Sequence, residues 1–350
     1  MSEELPSQFI NYFSKFSNKE YSLVNFERIF GGASRETYKI EVKGETVERL
    51  ILRVTQDSSL IETEQKTEYL AYSAFQDSKV PVPVLLDMSE DKNILGAPFM
   101  LMKELEGEAA SPFTPDVYSP NEKELGKQFW SILGEIAKKE INKDIFETFV
   151  KDTPCPGWKN ELDKWVEVIH DDSISTEPIL EAGIRSLYRN PPKESKKHSM
   201  VHGDYRSGNF LYLDDQITGI LDWEMAHIGD PLEDLAWALS PIWSWQDRKR
   251  PGYLIEKEEA LKIWEVSSNI IVDTEDLKWW ELFAAVKGMA IWISAGNEFK
   301  SGKNIDPINL FSAWIPGDIH LEIILDILED KYEALILVLL LKSLLLELLL

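Results

Sequence analysis

The chain holds a single cysteine, Cys155, among 350 residues. One thiol cannot build an intrachain disulfide framework or a cysteine-based zinc site. It fits a reducing compartment, so a cytoplasmic location is expected. Basic charge is scarce as well: 37 Lys and Arg face 61 Asp and Glu, for a formal net charge of −24. A chain this acidic repels nucleic-acid phosphate, which removes nucleic acid from the expected partners. The excess favours solubility, and it also suits a cationic small molecule. The first nine residues contain Glu3, Glu4 and Pro6 and lack the basic start and apolar run of a secretory leader. Repeats are absent, and so are long apolar runs until residues 334–350. That stretch is nearly all leucine, isoleucine and valine, broken by Lys342, Ser343 and Glu347. It falls just short of the roughly 20 apolar residues of a membrane span. A helix packed on the protein or on a partner is therefore expected before membrane contact, and a homodimer could use it.

What is present reads as globular. Apolar residues make up 44% of the chain and charged residues 28%. The length is comfortable for two lobes with separate cores. Residues 5–20 pattern as a helix bearing Phe9, Tyr12, Phe13 and Phe16. Strand-like runs follow over 24–30, 37–42 and 49–54, joined by glycine turns at Gly31-Gly32-Ala33-Ser34 and Gly44-Glu45. A helix is predicted over 62–75, and Val80-Pro81-Val82-Pro83 must be extended because each proline pushes its predecessor out of the helical region. Another buried strand is predicted over 99–102. Beyond Gly107 helices dominate, over 121–141, 158–170, 177–188, 231–239, 257–271, 275–296 and 319–332. Strand-like runs there appear only at 210–213 and 217–221. The expected class is α+β with two lobes: residues 1–105, residues 106–332, and a leucine-rich tail over 333–350.

The chemistry concentrates in Val201-His202-Gly203-Asp204-Tyr205-Arg206-Ser207-Gly208-Asn209 and the hairpin that follows. The runs 210–213 and 217–221 flank a three-residue polar turn, Asp214-Asp215-Gln216. A hairpin brings its open ends together, so Asn209 and Asp222 become spatial neighbours. Their oxygens suit Mg²⁺, a hard cation that shares phosphate oxygens. Asp204, just before the hairpin, is placed to orient or deprotonate an attacking hydroxyl. One Asp and one Asn beside a hairpin are ordinarily turn residues. The joint spacing, His-x-Asp-x-x-x-x-Asn, a hairpin, then Asp, is that of a kinase catalytic loop and metal site, with Gly203 where protein kinases have arginine. Asp230-Pro231-Leu232-Glu233 reads locally as a helix start: Asp caps, Pro takes the first turn and Glu233 closes a capping box.

With His202-Gly203-Asp204, Asn209, Ile220-Leu221-Asp222-Trp223-Glu224, Gly229-Asp230-Pro231 and Asp234-Leu235-Ala236, the chain resembles the aminoglycoside phosphotransferase and choline kinase-like family over about residues 24–330. The resemblance implies a protein kinase-like fold with a five-stranded first lobe, a hinge and a helical second lobe. It implies ATP and Mg²⁺ as cofactors, Asp204 as the base, Asn209 and Asp222 as metal ligands, and His202 and Asp234 as supports of the loop. The turn with Gly31, Gly32 and Ser34 would approach the phosphates. Where the family resemblance leads one to expect a phosphate-binding lysine on the third strand, this chain has Arg53, which can fork onto phosphate or carboxylate. Glu68 is its expected partner by the family's spacing, with Glu64 the second choice. Adenine would bond the backbone of Lys103 and Leu105 in the hinge.

The acceptor side is less specific. All twelve tryptophans fall in the helical part, and most should fill its core. Trp243 and Trp245, in the loop after the 231–239 helix, are the best candidates for facing a cationic substrate. Arg206 could neutralise a phosphate, touch an anionic substrate, or brace the loop. The expected function is ATP-dependent transfer of a phosphoryl group to a hydroxyl of an aminoglycoside-, choline- or sugar-like acceptor. The alternative is a nucleotide-binding pseudokinase serving as an interaction module, motivated by Arg53 and the unusual tail.

Overall fold

The computed structural model describes residues 4–29, 35–55, 65–110, 114, 116–151, 157–195 and 197–349, with backbone alone at 35 and 330–349. Gly31, Gly32, Ser34, Glu64 and Cys155 lie outside the described residues.

The first helix, α1 (Leu5–Ser17), buries Leu5, Phe9 and Phe13 and ends where Asn18 turns left-handed. It lies on a sheet formed by β1 (Ser22–Ile29), β2 (Arg35–Lys43) and β3 (Val47–Thr55). Next come α2 (Gln65–Phe75), β4 (Leu85–Ser89), the short α3 (Lys92–Leu95) and β5 (Phe99–Lys103). All pairings are antiparallel, in the order β1-β2-β3-β5-β4. Alternation along β2 and β3 drives this: Tyr38, Ile40 and Val42 share a buried face with Leu50, Leu52 and Val54. The expected five strands are all present. The sequence reading had not located β4, which follows the proline-rich connector directly.

The helical part contains α4 (Glu122–Lys138), α5 (Lys143–Val150), α6 (Trp158–Asp172) and α7 (Pro178–Arg189). Then β6 (Ser199–Val201), β7 (Phe210–Leu213), β8 (Gln216–Ile220) and β9 (His227–Gly229) carry the chain to α8 (Leu232–Leu239). The chain closes with α9 (Lys257–Ser268), α10 (Thr274–Ser301) and α11 (Pro307–Leu349). Helix α10 is the axis of this part and is buried from Leu277 to Ala290 on most sides.

Three expectations need correction. The hairpin is not the only strand pair here, because β6 and β9 also pair, with Met200 opposite Ile228. At three residues each, they are too short for an alternating pattern to register. The helix expected at 319–332 and the tail form one helix, which runs through Pro316. The Glu233 carboxylate closes no capping box. Asp230 Oδ1 does accept from Leu232 N at 2.9 Å, but Glu233 is buried and points at Lys287 and His227. Among residues whose side chains are described, no helix is long and apolar enough to cross a membrane.

Two connections set the hairpin against the sheet. The extended connector meets β8, where Ile220 N donates to Pro81 O at 2.8 Å. The segment after β5 pairs with β7: Glu108 N and Tyr212 N exchange bonds of 2.9 and 3.0 Å with each other's carbonyls. Thr218 Oγ1 adds a bond to Glu106 O at 2.6 Å. The hairpin is thereby tied to the extended connector and to the segment that follows β5.

Candidate active site

The loop between β6 and β7 is held from three sides. Asp234, near the start of α8, accepts from His202 N at 2.6 Å and from Gly203 N at 2.9 Å. Burial pushes its carboxyl up to about 6, against the pull of these two donors. His202 is fully buried, and burial lowers it to about 4, so it is neutral at pH 7. Its Nδ1 accepts from Asp204 N at 3.2 Å, which leaves Nε2–H to donate to Leu221 O at 2.9 Å. One imidazole thus ties the loop to the exit of the hairpin. Gly203 has φ +84°, and a Cβ there would sit 2.4 Å from Met225 O. The positive φ and the nearby carbonyl both favour glycine at that position.

Asp204 collects four side-chain hydrogen bonds. Trp237 Nε1 donates to Oδ1 at 2.8 Å, and Arg206 Nε lies 3.1 and 3.2 Å from the two oxygens. Asn209 Nδ2 donates to Oδ2 at 2.6 Å and also to the backbone carbonyl at 2.9 Å. The carboxylate is therefore fixed in direction while its side chain keeps 19% exposure. Because the Asn209 nitrogen faces Asp204, its amide oxygen is turned the other way. Leu221 N donates to Asn209 O at 2.9 Å, so the hairpin's open end places Asp222 beside it. Asp222 adopts φ 70°, a left-handed conformation that turns the chain into the short 3₁₀ turn Trp223–Met225. Its N–H donates to Tyr72 Oη of α2 at 3.2 Å.

Arg53 on β3 reaches Asp222 from the other wall. Its Nη1 bonds Glu68 Oε1 on α2, and its Nη2 lies 3.1 Å from Asp222 Oδ1. Burial disfavours the guanidinium charge, but the two carboxylates more than offset this and hold Arg53 charged. Burial likewise pushes Asp222 up, and Arg53 pulls it further down, below the usual carboxylate range. Gln65 fastens α2 to the same strand, donating to Arg53 O at 2.9 Å. The Arg53–Glu68 pairing expected from spacing is thus present in space.

The remaining candidates divide. Lys103 N is spent on Val84 O at 2.9 Å, whereas Leu105 N has no hydrogen bond among the described residues. A base would therefore find Leu105's N–H more accessible than that of Lys103. Arg206 is engaged as a brace: besides Asp204 it donates to Ser207 O at 3.1 Å and stacks 4.7 Å from the Trp243 ring. Trp243 is buried, with Nε1 on Trp237 O at 2.9 Å, so it serves the loop rather than presenting a free face. Trp245 is half-buried, with its Nε1 buried and unpartnered among the described residues. Sequence reasoning missed Trp237 and Tyr72 as parts of the site. Each looks like a core aromatic, and only the fold brings them to Asp204 and Asp222.

Asn209 and Asp222 fit a magnesium ion: both offer oxygen, they share the hairpin's open end, and Asp222 Oδ1 alone is taken by Arg53. The buried Nε of Arg53 has no partner among the described residues, which suits an additional anionic group.

This geometry defines a kinase-type phosphotransferase fold. The profile of the phosphotransferase enzyme family matches residues 25–268, and the chain belongs to that family. Among solved structures, a proposed aminoglycoside phosphotransferase from Ralstonia eutropha superposes with a TM-score of 0.74 at 17% identity, covering 93% of this chain and 98% of that one. An aminoglycoside phosphotransferase in ternary complex with AMP-PNP and hygromycin B gives 0.61 at 15%, covering 94% and 99%. Curated relatives include acyl-CoA dehydrogenase family member 10 of Mus musculus, 26% identical over 212 residues, 59% of this chain and 19% of that protein. Member 11 of Homo sapiens is 21% identical over 246 residues, 67% and 30% respectively. The chain spans less than a third of the length of these relatives.

Proposed function

We propose that the protein transfers the γ-phosphoryl group of ATP to a hydroxyl of a small molecule, with Asp204 as base. The observation that carries this is the orientation of Asp204 by Trp237, Arg206 and Asn209, one hairpin end from Asp222. In the step, the acceptor O–H gives its proton to Asp204, its oxygen bonds the γ-phosphorus, and the bond from phosphorus to the bridging oxygen of ADP breaks. Asn209 and Asp222 would hold Mg²⁺, which neutralises phosphate oxygens. Arg53, Leu105 and the turn with Gly31, Gly32 and Ser34 would contact the nucleotide. The solved relative bound to AMP-PNP supports ATP as donor. The division into residues 1–105, 106–332 and 333–350, the cytoplasmic setting and a homodimer belong to the same reading.

The acceptor is a hydroxylated small molecule. Hygromycin B in one structural relative and the net charge of −24 favour an aminoglycoside-like or other cationic compound. A second class enters through the curated relatives, whose names are those of acyl-CoA dehydrogenases. A hydroxylated acyl thioester therefore belongs beside aminoglycosides, choline-like amines and sugars in the test. Mg²⁺-dependent ATP consumption against this panel should rise with one class. Nucleotide binding with no transfer to any acceptor favours the pseudokinase, and absence of Mg·ATP binding contradicts both.

A further inference from the structure

Lys287 on α10 is, among the described residues, the only lysine whose whole side chain is buried, at 1% exposure. A buried ammonium needs partners in fixed places. Its Nζ donates to Gly203 O at 2.7 Å and to Glu233 Oε1 at 2.8 Å. It also lies 5.0 Å from the centre of the Trp237 ring and 5.6 Å from that of Trp165. Two of these contacts, Gly203 and Trp237, lead to the same carboxylate. Gly203 immediately precedes Asp204, and Trp237 Nε1 is a donor to Asp204 Oδ1.

We propose that Lys287 is a positioning residue for Asp204, acting through the Gly203 carbonyl and through the Trp237 indole. The reading of Asp204 as base underlies it. Both peptide groups flanking the Gly203 Cα are held: the N–H on one side by Asp234 and the C=O on the other by Lys287. The segment runs close against the Met225 carbonyl, where a Cβ on Gly203 would sit 2.4 Å from the oxygen. The peptide that presents Asp204 is therefore clamped between α8 and α10. Over the indole face, the ammonium draws electron density from the ring and strengthens the N–H donated to Asp204. Glu233 keeps the ammonium in place. Its other oxygen accepts from His227 Nε2 at 3.0 Å, and Glu161 of α6 lies 3.8 Å from the same nitrogen. Burial lowers Lys287, but Glu233 more than reverses this, so it stays charged.

The test compares Lys287→Met/Glu233→Gln with Glu233→Gln, so that no carboxylate is left facing a lost cation, and adds Trp237→Phe. Two quantities are read for each: amide hydrogen exchange over 201–209, and kcat with KM under Mg·ATP and an active acceptor. The proposal expects exchange in this loop to quicken about tenfold in the double variant relative to Glu233→Gln. It expects kcat per folded molecule to fall at least about tenfold, with KM for ATP within about twofold. Trp237→Phe should move both readouts the same way. A purely structural lysine would instead lower the melting temperature and loosen α8 and α10 evenly, with kcat per folded molecule unmoved; that result overturns the proposal. If the double variant does not fold, Trp237→Phe decides, and unchanged exchange and kcat overturn it. If the wild-type protein transfers phosphate to nothing, the functional reading fails, while loop exchange still judges the clamp.

Discussion

At the residue scale, the proposed role of Asp204 as base depends on how few orientations its carboxylate can take. Four hydrogen bonds from three side chains fix its carboxylate, and a Cβ on the adjoining Gly203 would clash with Met225 O. Gly203→Ala should cost about 2 kcal/mol or more in stability, from left-handed strain plus the clash. Thermal unfolding beside kcat would show both effects, and an unchanged melting point would contradict the strain. Arg53→Lys should fold but lose the fork that spans Glu68 and Asp222. Its KM for ATP should rise roughly tenfold with kcat less affected, measured by initial rates. Asp204, Asn209 and Asp222 were legible in the sequence because their spacing is short and a hairpin joins them. Trp237 and Lys287 were not, since a tryptophan in an apolar helix and a lysine in a long one look the same wherever they point. Arg206 and Trp243 were legible as residues near the loop, but not as a stacked brace.

At the element scale, α6, β9, α8 and α10 meet in a buried charge cluster behind the loop. Glu161, His227, Glu233 and Lys287 each come from a different one of these elements. Burial alone would lower His227, yet the two glutamates raise it to about 9. The folded value lies above the unfolded one, about 6.5. The stabilisation is therefore complete below that pH and is lost as pH rises through about 9. Unfolding followed between pH 6 and 10 should show a loss of up to about 3 kcal/mol on the alkaline side. His227→Gln should flatten that slope, and an equal slope in the variant would refute the assignment. The helices of this region were readable from periodicity. The strands β6 and β9, and the role of Glu233, were not: three residues carry no period, and a glutamate three places after Asp230 mimics a capping box.

At the scale of the whole molecule, the sheet and the helical part are joined at the site itself. Arg53 and Tyr72 contact Asp222 from the sheet side, and the two connectors bond the hairpin. A nucleotide bound there with Mg²⁺ should stabilise the molecule as one unit, by about 2.7 kcal/mol at a hundred times its dissociation constant. Thermal shift with and without Mg²⁺ reads this. Asp222→Ala should lose the magnesium-dependent part, and a full shift in that variant would remove Asp222 from the metal site. The two-lobed α+β class was visible from the order of patterns, strands first and helices after. The continuity of α11 through Pro316 was not, because a proline at that point ordinarily marks a boundary.

The central claim is that Asp204 directs phosphoryl transfer from ATP. Its most direct test is to incubate wild-type protein and Asp204→Asn with Mg·ATP and the acceptor class that stimulates turnover, and to weigh the acceptor by mass spectrometry. The account predicts a phosphorylated acceptor with the wild type. With Asp204→Asn it predicts at least about a hundredfold less, at nearly unchanged ATP affinity. Equal phosphorylation by both proteins would contradict it.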